Sequence, residues 1–97
     1  MFKINVKARL ATGKTSNKKL RRLNKIPAIM RDINSKLILI QLNHNDFLNF
    51  LDTNNITDNN IVLSLNFDNK QYKVKIKGLQ LHPFKRLIMH IDFYEVK

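Results

Sequence analysis

IVLSLNFDNKQYKVKIK, residues 61–77, alternates apolar and polar side chains along two arms separated by a short polar break. Ile61, Leu63, Leu65 and Phe67 mark the first arm, and Tyr72, Val74 and Ile76 mark the second. Successive side chains of a strand point to opposite faces, so this alternation predicts two half-buried β-strands, each with one face on a core. Asp68-Asn69-Lys70 lies between them, and Asn tolerates the positive φ that tight hairpins demand. Lys73, Lys75 and Lys77 fall opposite the apolar face of the second arm and make its outer side basic. Gly78 follows, and a glycine in a strand signals a bulge or a close backbone approach.

The same period runs outward from the hairpin in both directions. Downstream, His82-Pro83 breaks the pattern, after which Leu87, Met89, Ile91 and Phe93 define the core face of a last strand, with His90 and Asp92 on its other face. Upstream, residues 52–60 are rich in Asn, Asp and Thr, which stabilise turns through their own side chains. Phe47, Leu48, Phe50 and Leu51 show the i, i+3, i+4 spacing of a helix that begins at Asn43 or Asn45, either able to cap it, and that carries little positive charge. That helix reads as a plug for a barrel or sheet. Residues 37–42 are nearly all apolar, as in a strand buried on both faces. Residues 26–30 contain Pro27 and read as an edge strand or strand start. At the N-terminus, Phe2, Ile4, Val6, Ala8 and Leu10 alternate with Lys3, Asn5, Lys7 and Arg9, giving another strand with a basic outer face. Six strand-like segments and two interposed helices make an α+β domain, a small, mostly antiparallel barrel or sandwich. No repeat or linker divides residues 1–97, which form a single domain.

Between the first two strands lies GKTSNKKLRRLNKIPAIM, residues 13–30. Its centre, residues 18–25, predicts a short helix capped by Ser16 or Asn17 and stopped by Pro27. At 100° per residue, Lys18, Arg21, Arg22 and Lys25 share one arc of about 100°, with Lys19 on the flank and Leu20 and Leu23 opposite to anchor the helix. Lys18 and Lys19 in the first turn oppose the helix dipole, at a cost of about 0.3–1 kcal/mol each. Phosphates are the negative charges that would answer them. The whole chain points the same way: 18 Lys and Arg against 7 Asp and Glu leave a net charge of +11, which implies a polyanionic partner.

Other chemistries lack their residues. The chain has no cysteine, hence no disulfide framework or thiolate metal site, as suits a reducing cytoplasm. His44, His82 and His90 show no metal-ligand spacing, and no metal or cofactor is expected. His90 and Asp92 resemble a base with its orienting acid, but there is no identifiable nucleophile, so the pair reads as polar surface and the protein as no enzyme. Gly13-Lys14-Thr15 mimics the end of a phosphate-binding loop, yet Ala8 stands where that loop needs glycine. The N-terminus has no apolar run of a signal peptide or membrane span, and no standard DNA-binding pattern occurs. The alternative to nucleic-acid binding is a basic module for protein interaction or for an anionic membrane surface.

Met1-Phe2-Lys3-Ile4-Asn5 with Arg9, Gly13-Lys14, Leu20-Arg21, Pro27-Ala28-Ile29, Gln80-Leu81-His82-Pro83-Phe84-Lys85 and His90-Ile91-Asp92-Phe93 stand in an order and spacing that resemble one family along nearly the whole chain. That family is the bacterial large-subunit ribosomal protein L twenty-five, in its short, single-domain form, which binds 5S ribosomal RNA. The resemblance implies a six-stranded β-barrel with two or three short helices. It also implies a cytoplasmic place in the ribosome, with no membrane or small-molecule substrate, and a monomer when free. It implies RNA contacts from Arg9, Lys14, Lys18, Arg21, Gln80, His90 and Asp92. The basic helix, the basic strand and the motif positions add Lys19, Arg22, Arg31, Lys77 and His82 to the expected RNA-binding set. Two departures stand out. Asn17-Lys18-Lys19 replaces the common Ser-Arg-Arg, losing a bidentate fork, and Arg31-Asp32 replaces a usual Tyr-Gly, although Arg too stacks on bases.

Overall fold

A computed structural model describes residues 2–9, 18–19, 22–53, 61–85 and 87–96. Its strands are β1 (Lys3–Ala8), β2 (Lys25–Arg31), β3 (Leu37–Asn43), β4 (Leu63–Phe67), β5 (Lys70–Leu81) and β6 (Ile88–Glu95), with helix α1 (His44–Thr53) between β3 and β4. They close into a barrel in the order β1-β3-β2-β6-β5-β4. The barrel consists of two three-stranded antiparallel sheets, β1-β3-β2 and β6-β5-β4, joined by two parallel seams, β1 to β4 and β2 to β6. The expected mostly antiparallel barrel is thus a mixed one. Short turns make the antiparallel neighbours β2–β3, β4–β5 and β5–β6, whereas both seams, like the antiparallel β1–β3 pair, join strands that are not consecutive in sequence. The expected two or three helices reduce to one complete helix, α1, among the described residues.

The hairpin forms as its sequence implies. Asp68 and Asn69 both take positive φ, 51° and 64°, the conformation whose twist matches the flanking strands. The inward faces supply Ile4, Val6, Ile26, Ala28, Met30, Ile40, Leu42, Leu63, Leu65, Val74, Ile88, Ile91 and Phe93 to one core. Helix α1 plugs it: Phe47 and Phe50 are buried, with ring centroids 5.6 Å apart, Phe50 meets Phe2 edge-on at 5.4 Å and Phe47 meets Phe93 at 6.3 Å. Each buried Phe is worth roughly 1.5–3 kcal/mol of apolar transfer. The Asn43 side-chain oxygen caps α1, accepting from the Asn45 N–H at 2.9 Å and the Asp46 N–H at 3.4 Å. Buried His44 ties the helix start to β6, its Nε2 accepting from the Ile88 N–H at 3.1 Å.

Four local expectations change. Strand β3 is not buried on both faces, because a barrel wall has only one interior: Ile40 and Leu42 are buried while Leu37 is exposed. Strand β2 is no edge strand but lies between β3 and β6, and Pro27 precedes the first β6 pair, Ala28 with Ile91, so no bond of that ladder needs its missing N–H. In β6 the alternation slips: Ile88 is buried and Met89 and Leu87 are only half-buried, because a register break skips Met89 between the pairs Gln80–His90 and Leu81–Ile88. The basic helix also ends before residue 25. Asn24 adopts a left-handed φ of 62° and turns the chain into β2 at Lys25, the usual geometry of a helix C-terminus. Leu23, in that closing turn, is 61% exposed and does not anchor the helix.

Candidate nucleic-acid interface

Strands β5 and β6 present their polar residues on the outer wall of the barrel. Their register sets Gln80 opposite His90 and Gly78 opposite Asp92. His90 and Asp92, two residues apart, share that face, and His90 Nδ1 lies 3.1 Å from Asp92 Oδ1. A second register break, between Ile76 and Gly78, leaves Lys77 exposed and brings the Gly78 backbone beneath the carboxylate. A Cβ at position 78 would sit 3.3 Å from Asp92 Oδ2, closer than most carbon contacts. The missing side chain is therefore what lets Asp92 lie where it does. On the other flank, Ile29 of β2 pairs with Asp92.

Arg9 departs from the strand alternation. It lies just past β1 and is 8% exposed, whereas Ala8, expected in the core, is exposed. Its guanidinium donates to the Ala28 carbonyl of β2 at 3.5 Å, and its N–H donates to the Leu39 carbonyl at 3.0 Å. Burial lowers the Arg9 pKa, though an arginine keeps its charge regardless. That charge reaches His90. Burial chiefly pushes the His90 pKa below its ordinary value, the Asp92 carboxylate opposes this, and Arg9 adds to it. A neutral imidazole donating Nδ1–H to Asp92 keeps Nε2 as an acceptor. The face thus combines two acceptors, Nε2 of His90 and the carboxylate, with the amide of Gln80.

The remaining expected residues divide. His82 spends its Nδ1 on its own turn, accepting from the N–H groups of Phe84 and Lys85 at 3.1 Å each. Arg31 pairs in register with Tyr94 of β6, is exposed, and donates to the Ser35 carbonyl at 3.4 Å. The neighbouring Asp32 shapes the β2–β3 turn, its Oδ1 accepting from the Asn34 and Lys36 N–H groups at 2.9 and 2.8 Å. Lys18, Lys19 and Arg22 have helical backbone and exposed side chains on the segment that leads into β2. Lys14, Arg21 and the anchor residue Leu20 lie outside the described residues. Arg9, Gln80, His90 and Asp92 are thus brought to one wall, and Lys77 to its bulge.

Sequence reasoning missed a feature on the other side. Strand β1 lies three places from β6 around the barrel, and there a cleft of about 560 Å³ is lined by Asn5, Lys7, Gln41, Asn43, Asn66 and other polar residues. The Asn66 amide donates to Asn5 Oδ1 at 3.1 Å within it. The Asn-rich composition was its only signal. Among the described residues no group of three or more His, Asp or Glu could hold a metal, and no helix is long and apolar enough to cross a membrane.

The profile of the Ribosomal L25p family matches residues 4–93. Curated relatives named large ribosomal subunit protein bL25 match along nearly the whole chain. Those of Photorhabdus laumondii and Erwinia tasmaniensis are each 41% identical over 93 residues, covering 96% of this chain and 97% of theirs. A longer relative of the same name from Alteromonas mediterranea is 36% identical over 96 residues, 99% of this chain and 45% of its own length. The match takes in β1 to β6 and both residues of the His90–Asp92 pair, and the chain belongs to the Ribosomal L25p family.

Proposed function

We propose that this chain is a structural, non-catalytic protein of the large subunit of cytoplasmic ribosomes, monomeric when free, and that it binds 5S ribosomal RNA with the outer wall of β5 and β6. The relatives' shared name supports the ribosomal assignment. The observation that carries the RNA-binding site is the His90–Asp92 pair laid over Gly78. A carboxylate on a surface of a chain with net charge +11 is a poor phosphate ligand but a good acceptor for base amino groups, as with cytosine N4. His90 holds one carboxylate oxygen, and the other, together with Nε2 of His90 and the Gln80 amide, meets donors on exposed base edges or 2′-hydroxyls. Those groups are accessible in RNA where noncanonical pairing or a wide minor groove presents them.

Phosphate contacts set the register of such a complex without reading sequence. Lys18, Lys19, Arg22, Arg31 and Lys77 are exposed and available for that role; Lys14 and Arg21, from the same basic stretch of sequence, and His82 are assigned to it as well. Arg9 is too buried to lead a phosphate contact, and its charge instead adds to the burial that lowers the His90 pKa. The test is a competition titration of the purified chain with 5S ribosomal RNA and an unrelated RNA duplex at one salt concentration. Preference for 5S RNA is expected. Equal affinity for both would mean that only charge holds the RNA, and the β5–β6 wall would not be a reader.

A further inference from the structure

Phe84 is 91% exposed, the most open of the large apolar side chains described. Its segment is nevertheless firmly held. The His82 N–H donates to the Leu87 carbonyl at 2.8 Å and the Leu87 N–H to the Lys85 carbonyl at 2.8 Å. His82 Nδ1 receives the Phe84 and Lys85 N–H groups. The His82 and Phe84 rings stand edge to face, with centroids 6.3 Å apart and planes at 65°. A turn with four internal hydrogen bonds therefore holds an aromatic ring away from the barrel, where it gains nothing from the core. The turn joins β5 to β6 immediately beyond the Leu81–Ile88 pair, one pair past Gln80–His90, so it continues the wall that carries the polar site. Its sequence, LHPFKRL over residues 81–87, contains Lys85 and Arg86 and no acid.

We propose that Phe84 is a base-stacking platform: an unstacked base of the RNA bound on the β5–β6 wall lies on its ring. The inference rests on the RNA-binding reading above and extends it to a contact that does not depend on hydrogen bonding. Every nucleobase offers a π-face, so an exposed ring on a hydrogen-bonded turn whose sequence carries Lys85 and Arg86 suits a nucleic acid. An apolar protein surface would leave those cations unanswered. His82 is then a positioning residue, which explains why its Nδ1 faces its own turn.

The chain contains no tryptophan, so Phe84→Trp introduces a single indole reporter at the tip. The experiment titrates this variant, the wild type, Phe84→Leu and Phe84→Ala with 5S ribosomal RNA, with filter binding in parallel and a thermal melt of each. Stacking requires that indole emission is quenched along the binding curve and that Phe84→Trp binds like the wild type. Phe84→Leu and Phe84→Ala should each lose about tenfold in affinity with unchanged melting. Wild-type affinity in Phe84→Leu would overturn the stacking role, as would unquenched emission in the RNA complex. A response only to added large-subunit proteins would assign the ring to a protein contact and overturn the proposal. If the wild type itself fails to bind 5S RNA, the underlying RNA-binding reading fails instead, and filter binding distinguishes the two.

Discussion

The two ladders of strand β5 are built differently. On one side it pairs with β4 through five consecutive residues, Leu63–Val74 to Phe67–Lys70, without a break. On the other it pairs with β6 through a ladder interrupted twice, between Ile76 and Gly78 and between Gln80 and Leu81. The regular ladder turns Leu63, Leu65 and Val74 into the core, all of them fully buried. The irregular one re-aims polar side chains: one break exposes Lys77 and places Gly78 under Asp92, and the other brings Ile88 inward in place of Met89. Bulges are common where a strand must redirect a functional group. One side of β5 thus serves stability and the other recognition, and substitutions should separate the two.

The largest effect belongs to the regular side. Leu65→Ala removes a fully buried core side chain and should cost about 2–5 kcal/mol in a denaturant melt, since a core cavity collapses only partly. RNA affinity measured on the remaining folded protein should stay within about twofold of wild type. A loss of affinity beyond the loss of folded protein would mean that the two sides are coupled.

Asp92→Ala should do the reverse. Removing a base-reading acceptor costs roughly 1–3 kcal/mol of discrimination, about 5- to 150-fold. Binding to an unrelated duplex should stay equal or improve, because a negative charge has gone, and the melt should barely move for a half-buried surface group. The competition titration reads this directly. Equal tightening toward both RNAs would leave Asp92 as no more than a repulsive charge.

Gly78→Ala gives a finer test of the irregular ladder. The backbone at Gly78 is not left-handed, so alanine fits it, but the new Cβ would lie 3.3 Å from Asp92 Oδ2. The carboxylate must then give way by a few tenths of an ångström. A severalfold loss of preference for 5S RNA is expected, with stability changed by less than about 1 kcal/mol. Asp92→Ala combined with Gly78→Ala should be no worse than Asp92→Ala alone, because the glycine acts through the carboxylate. Additive losses would show that Gly78 serves something else.

The same contrast explains what the residues disclosed in advance. Alternation over residues 61–77 implies the regular ladder, and Phe47, Phe50 and Asn43 imply α1 with its cap, because period and capping are local properties. The parallel seams are not local. A period of two marks a core face but names no neighbour, and Pro27 makes β2 read as an edge strand or strand start although β6 covers it. Asn24 ends the basic helix through a left-handed turn that Pro27 overshadows in sequence, which is why Leu23 proves exposed. At the site, the i, i+2 spacing placed His90 and Asp92 on one face. Gly78 signalled a close approach but not its partner, because the register across a bulge decides that. The burial of Arg9 had no signal at all, since alternation puts it outside with Lys7.

The smallest expected effect concerns the protonation of His90, and its sign follows chiefly from the burial of the imidazole, with the Arg9 charge adding to it. Burial and the Arg9 charge hold the folded-state pKa of His90 below its ordinary value of 6.5, with Asp92 only partly compensating. Between the two values the unfolded chain binds the proton and the folded chain does not, so stability rises with pH across that window. At and above neutrality both states are unprotonated and His90 contributes nothing pH-dependent. As pH falls below about 6.5 the unfolded state gains the proton first and stability declines, until the folded-state pKa is passed. Other groups also take up protons as the pH falls, so acid sensitivity alone does not identify His90. The difference between wild type and His90→Gln does. Denaturant melts at pH 5 and pH 7 should show a smaller acid loss in His90→Gln, with its Asp92 neighbour left in place. Adding Arg9→Gln to the wild type should raise the His90 pKa, seen as a shift of its imidazole resonance toward 6.5 in an NMR titration. An unmoved resonance would separate Arg9 from the site, and the wall of β5 and β6 would then read RNA without help from the end of β1.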